Sequence, residues 1–165
     1  MKQQKLLRLL REMLKDSKRS DREIAKRLGV SQPTVTRTRA QLEKDYIRTY
    51  TVVPDFVKLG YQILAFTFLK MKSYPSKEEA NKILRKGKEW THKHPNVIFA
   101  SDGEGFGKDI VMVSFHKDYP SYTDFMRTLA FDWSETVSEF GSFLVSTGSG
   151  FEIKPFDLKY LTDDV

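Results

Sequence analysis

The 165 residues contain no cysteine, and that absence removes disulfides, thiolate zinc sites and thiol catalysis together. It fits an intracellular protein. Histidine is almost as scarce: His92, His94 and His116 are the only three, and none is spaced with carboxylates in a metal-ligand pattern. No metal and no cofactor is therefore expected. Long apolar runs are missing too. The longest, Ile63 to Leu69, falls far short of the roughly 20 residues that span a bilayer. The opening MKQQKLLRLLREML is basic but lacks the uninterrupted apolar stretch of a secretory signal. These absences predict a cytoplasmic protein with no membrane partner. What is present, 39% hydrophobic and 13% aromatic residues, suffices for real cores and excludes global disorder. The length allows one domain or two small ones.

The densest local signal runs from Ser20 to Tyr46, SDREIAKRLGVSQPTVTRTRAQLEKDY. Ser20-Asp21-Arg22-Glu23 has the form of a capping box, with the Ser20 hydroxyl accepting from an early backbone N–H and Glu23 reaching back. Ile24, Ala25 and Leu28 follow on one apolar face. Gly29 supplies the positive φ that stops the helix. Ser31 is placed to cap a second helix, and Pro33 sits in its first turn, where a missing N–H costs nothing. Two short helices across a Gly turn make a helix-turn-helix, which places its second helix in the major groove. An ordinary amphipathic helix pair explains a lone capping box, but not the whole run of cap, Gly turn, second cap, Pro and basic polar face.

At about 100° per residue, Val35 and Leu42 lie on the buried side of the second helix. Thr34, Arg37 and Gln41 lie opposite, Thr36 at the edge of that arc, and Gln32 points outward at the helix start. These five are the candidate base readers, since Thr, Gln and Arg all bond base edges. Arg39 falls near the buried arc, so it is expected to snorkel to a phosphate. Ser20, Arg22, Ser31, Arg39, Arg48 and Thr49 are the candidates for phosphate contact or support.

Charge is distributed to match. Residues 1–50 hold 14 Lys+Arg against 6 Asp+Glu, a net +8; the remainder holds 14 against 16, a net −2, together the +6 of the chain. A basic segment coinciding with a helix-turn-helix is an electrostatic footprint for a polyanion.

Upstream, Leu6, Leu7, Leu10 and Met13-Leu14 form a 3–4 spaced stripe, which predicts a covering helix. After Tyr46, Ile47–Val53 is β-branched and alternating and predicts a short strand or wing, with Arg48 and Thr49 near the DNA backbone. The expected organisation is a winged helix-turn-helix domain over 1–53, a linker over 54–60 and a second domain over 61–165. In the second domain, Tyr61–Lys72 reads as a strand, 76–94 as a helix opened by a capping box at Ser76, and Val97–Ser101 as a strand. A Gly-rich loop Asp102–Lys108, a strand Asp109–His116, a helix from Pro120 and a strand Val137–Thr147 follow. This β-α-β-β-α-β order is the ferredoxin-like split βαβ arrangement, so the fold class is α+β.

Helices cover one face of such a sheet, yet the first strand is apolar on both. An open apolar face marks an interface, so a two-fold homodimer is expected, with Ile63, Leu64, Ala65, Phe66 and Phe68 as interface candidates. The alternative is that the tail from Phe151 to Leu161 folds back over that face.

The run REIAKRLGVSQPTVTRTRAQLEKDYI, with Val35, Leu42 and Ile47 in the usual apolar places, resembles the helix-turn-helix of the Lrp/AsnC (leucine-responsive/asparagine regulator) family, in an archaeal-looking form. The stretch VVPDFVKLGYQILAFTFLKMK resembles the family's connector and first effector-domain strand, so the resemblance covers nearly the whole chain. It implies sequence-specific binding of double-stranded DNA, dimers that often assemble into octamers, and amino-acid effectors. The sequence departs from the family at Tyr46, usually Gly, at Arg39, usually apolar, and at Thr38, often Arg. The family's Gly-x-x-Asp loop is matched loosely by Gly105–Asp109, and the tail after Gly148 follows the pattern poorly. For a small effector the candidates are Gly103, Gly105 and Asp109. A nucleotide-binding loop fails on context, because here the glycines join two strands. Asp102, Glu104 and Asp109 lack the partner a catalytic acid–base pair needs, so no enzymatic activity is expected. Two alternatives stand beside the regulator: a non-specific architectural DNA binder, and a ligand-sensing dimer whose helix-turn-helix binds protein.

Overall fold

A computed structural model of the chain describes residues 2–73, 76–150 and 152–163. It forms two compact units, the first made of residues 1–53 and 153–165 and the second of 54–152. The sequence predicts a second domain running to residue 165; the tail instead clusters with the first unit.

The first unit holds α1 (Lys2–Lys15), α2 (Asp21–Leu28), α3 (Gln32–Asp45) and a 3-10 helix (Leu158–Asp163) that packs against α1. Helix α2 begins with a complete capping box: Ser20 Oγ accepts from the Glu23 N–H at 3.3 Å, and Glu23 Oε2 accepts from the Ser20 N–H at 2.8 Å. It ends at Gly29, whose φ of +65° is the left-handed conformation that a side chain resists. Leu6, Leu9, Met13, Ile24, Ala25, Val35 and Leu42 form the core of this unit, with Leu10, Leu28, Val30 and Ile47 packed at its edge. Each fully buried Leu or Ile of that set contributes about 1.5–3 kcal/mol.

Residues 47–53 adopt no strand, which corrects the expected wing. A strand is stabilised by its ladder partner, and the first unit has no second strand to offer among its described residues. The segment is held otherwise. Ile47 donates its N–H to Leu42 at 2.8 Å, and the Tyr50 hydroxyl donates to Glu43 at 2.8 Å.

The second unit contains β1 (Ile63–Met71), α4 (Lys77–His92), β2 (Val97–Gly105), β3 (Lys108–His116), α5 (Tyr119–Asp132) and β4 (Val137–Ser146). Its sheet has the order β2-β3-β1-β4 and is antiparallel throughout, the ferredoxin-like arrangement. Trp90 of α4 and Phe125 and Leu129 of α5 pack with Trp133, Leu69, Met112 and Val137 into its core. Strand alternation sorts the two faces. Ala65, Thr67 and Leu69 are buried, as are Met112, Ser114 and His116 of β3. Leu64, Phe66 and Phe68 point the other way, beside Phe115, Val113 and Val111 on β3 and Val145, Phe143 and Gly141 on β4.

This sorting corrects the interface candidates. Ala65 lies fully buried on the covered face, and Ile63 shares its parity, so neither belongs to the open surface. Leu64, Phe66 and Phe68 remain, and they continue onto Phe143 and Phe99, both more than half exposed. The stretch expected as a linker closes one end of this face. Phe56 stacks on Phe115 with ring centroids 4.1 Å apart, and Lys117 lies 3.8 Å over the Tyr61 ring. The 3-10 helix of the tail packs on α1, within the first unit; Phe151, where that tail begins, lies outside the described residues.

Candidate nucleic-acid interface

Helix α3 is fixed against α2 by one acidic residue. Asp21, at the first position of α2, receives Arg39 Nε at 2.7 Å on one carboxylate oxygen and the Thr36 hydroxyl at 2.6 Å on the other. Arg39 Nη2 also donates to the Arg19 carbonyl at 3.1 Å. The Thr36 hydrogen bond, with support from Arg39, holds the Asp21 carboxyl below its ordinary pKa against the opposing effect of partial burial. On the other flank of α3, Thr38 Oγ1 donates to the Thr34 carbonyl, and Arg8 Nη2 reaches the Leu28 carbonyl that ends α2.

These contacts place the candidates differently. Arg37 is exposed and makes no hydrogen bond or ion pair among the described residues. Gln32 is exposed and Gln41 half-buried. Thr36 is exposed but its hydroxyl is engaged by Asp21, and Thr34 is half-buried, its Oγ1 2.8 Å from Ser31 Oγ. Ser31 therefore occupies the cap position of α3 without giving its side chain to a backbone N–H. Ser20 is occupied in the capping box, while Arg22, Arg48 and Thr49 are exposed. Arg39 points into the protein, so the geometry makes it a clamp between helices.

Two residues, Ala40 and Lys44, escape the sequence reading. Pro33, Ala40 and Lys44 stand four before, three after and seven after Arg37, and all are exposed. The i−4, i+3, i+7 spacing was available as the signal. With Arg37 they form one continuous outward ridge carrying two cations and an alanine methyl. That is the chemistry of a groove-reading helix: cations for phosphate or guanine, and a small apolar group for a thymine methyl.

The effector candidates lie on the β2–β3 hairpin. Strand β2 continues to Gly105, which pairs with Lys108, so the expected Gly-rich loop contracts to a two-residue turn at Phe106-Gly107. Both turn residues have positive φ, +53° and +67°, as tight hairpins require. Gly103 and Gly105 stand in open space near that turn. Asp109, by contrast, is tied to β1: it accepts the Met71 N–H at 2.8 Å and pairs with Lys70 at 3.4 Å, where β1 shifts register against β4. The hairpin thus brings Gly103, Gly105 and Asp109 to its turn end, with Asp109 tied sideways to β1. No helix among the described residues is long and apolar enough to cross a membrane.

Comparison with known proteins fits this geometry. Residues 7–43 match the AsnC-type helix-turn-helix domain. No curated protein sequence matches the chain significantly. Among solved structures, an AsnC family transcriptional regulator from Agrobacterium tumefaciens superposes with a TM-score of 0.74 at 20% identity, over 93% of this chain and 95% of that one. LrpC of B. subtilis gives 0.70 at 22% identity, over 90% and 96%. A Neisseria meningitidis transcriptional regulator, solved as its L-Met complex, gives 0.74 at 18% identity, over 91% and 90%. At such identities the likeness establishes the fold, and the domain match establishes the kind of helix-turn-helix. The chain carries an AsnC-type helix-turn-helix domain and has the fold of Lrp/AsnC-family transcriptional regulators.

Proposed function

We propose that the chain is a sequence-selective DNA-binding transcriptional regulator that works in the cytoplasm as a homodimer, with no enzymatic activity of its own. The observation that carries this reading is the exposed ridge of α3, where Arg37 and Lys44 stand free on a helix whose orientation is set by Asp21. The basic first third of the chain supplies the attraction to phosphate, and the ridge supplies the base contacts. The open face of Leu64, Phe66, Phe68 and Phe143 supports dimer formation. A dimer presents two copies of α3 to half-sites about one helical turn, or a multiple of it, apart. The L-Met complex of the Neisseria regulator supports an amino acid as effector, with the β2–β3 hairpin as its candidate place. Assembly beyond the dimer follows the same resemblance.

The test is selection from a random duplex library followed by gel shift under excess competitor DNA. A recovered two-fold motif, bound at least about a thousandfold more tightly than bulk duplex, supports the regulator. Equal affinity for every duplex supports architectural binding instead.

A further inference from the structure

The polypeptide passes between the two units twice, at residues 53–54 and again at 152–153. The second passage ends in the 3-10 helix Leu158–Asp163 lying on α1, which covers the helix-turn-helix. Thr162 is buried there, at 7% exposure. The rest of the segment is docked only lightly. Ile153 is fully exposed, Phe156 is 70% exposed, and Leu158 and Leu161 are about half exposed. Asp157 and Lys159 pair with each other at 2.8 Å, and Lys154 lies over the Tyr160 ring at 3.9 Å, so these four groups satisfy one another within the segment. A segment that buried all its apolar side chains would be a permanent part of the core. One that buries few of them opens at low cost.

We propose that residues 153–163 are a releasable strap whose docking surface is the α1 helix of the same chain, giving the DNA-reading unit a second tether beside the 53–54 connection. The strap's effect on DNA rests on the function proposed above; its docking does not. Docked, it narrows the half-site spacings that a dimer accepts. Released, it leaves the helix-turn-helix on one connection and relaxes that requirement.

The absence of cysteine makes the test clean, because a single introduced thiol is unique. In full-length chain, the Thr162→Cys thiol should react with a maleimide about tenfold more slowly than the Ile153→Cys thiol, and equally fast in denaturant. Equal native rates would overturn docking. Protection that disappears on dilution would place the strap on a second copy and overturn the intramolecular strap. Thr162→Arg should undock the segment without removing it. A half-turn insertion of about 5 base pairs between half-sites should then cost the variant several-fold less affinity than it costs wild type. Protection with an unchanged spacing penalty would overturn the control of spacing. Loss of all selective binding by wild type, with protection intact, would sink the regulator reading and leave the strap standing.

Discussion

The Asp21 carboxylate and the Arg39 guanidinium, eighteen residues apart, meet at 2.7 Å across the helix-turn-helix, and each side chain is about one-fifth exposed. The pair joins the first residue of α2 to the inner side of α3, and Thr36 completes the hub. Removing one partner leaves the other charge partly desolvated, which costs more than the pair's net contribution. Arg39→Ala and Asp21→Ala are each expected to lose about 1–3 kcal/mol of stability. A double-mutant cycle read by urea unfolding should show coupling of at least about 0.5 kcal/mol. Purely additive losses would mean that the two residues act independently.

Arg37 and Lys44 share one exposed ridge but are expected to fail differently. Arg37→Ala should cost about 1–3 kcal/mol in binding the preferred site and relax the choice of base there. Lys44→Ala should weaken all duplexes alike and lower the salt slope of log K by about one contact, roughly 0.9. Selection experiments and salt titrations on both variants separate the roles. A Lys44 variant with altered sequence preference would move the reading centre along the helix.

The open sheet face makes a paired prediction. Phe66→Asp and Phe143→Asp place a charge on the exposed side of β1 and β4 and should convert a dimer to a folded monomer in sedimentation experiments. Ala65→Asp, one residue from Phe66, buries its charge beneath the helices and should unfold the second unit. Dimers that survive both surface substitutions would locate the contact elsewhere.

Burial beneath α5 pushes the His116 imidazole below its ordinary value of 6.5. Its Nε2 lies 2.9 Å from Ser114 Oγ, and its ring packs against Tyr122 and Phe125. The folded state therefore favours the neutral ring, and the unfolded state binds more protons below pH 6.5. Stability from this site is present above pH 6.5 and is lost as pH falls through the lower folded value. Urea unfolding at pH 7.5 and pH 5 should show that loss in wild type, and His116→Leu should flatten the difference. An equally steep dependence in the variant would assign it to carboxylates.

Gly29 ends α2 at φ +65° with nothing within 4 Å of the position a Cβ would take. Crowding is thus not at issue, and Gly29→Ala tests conformation alone. It should cost about 1 kcal/mol, and Ser20→Ala about the same, both measurable as a lowered unfolding midpoint. Gly29→Asn should recover part of the glycine loss, because Asn tolerates the left-handed region.

Much of the helix-turn-helix was readable from the sequence because its signals are local. Ser20, Glu23, Gly29 and Pro33 each obey a rule that spans no more than four residues. Arg39 escaped because its partner is eighteen positions away, and a residue near the edge of a helical wheel is assigned by what lies opposite it. The wing failed for the opposite reason. Ile47–Val53 has strand composition, but a strand is a property of two segments, and the chain supplies no ladder for this one among the described residues of its unit. On β1 the alternation was plain, while the covered face was not, since Ala65 and Leu69 on one side are no more apolar than Leu64 and Phe66 on the other. The strap was beyond reach, because Leu158–Asp163 has neither the length nor the period that marks a helix in sequence.

Gln62 sits where the covalent path enters the sheet, and it is gripped from both sides: its N–H donates to His116 and its carbonyl accepts from Thr147, each at 3.0 Å. The strand that follows is the one flanked by β3 and β4. A pull arriving along the connector is therefore borne in shear by two ladders at once, where the same pull on an edge strand would peel one ladder bond by bond. Force applied along residues 54–62 thus meets the sheet at an inner strand rather than at an edge.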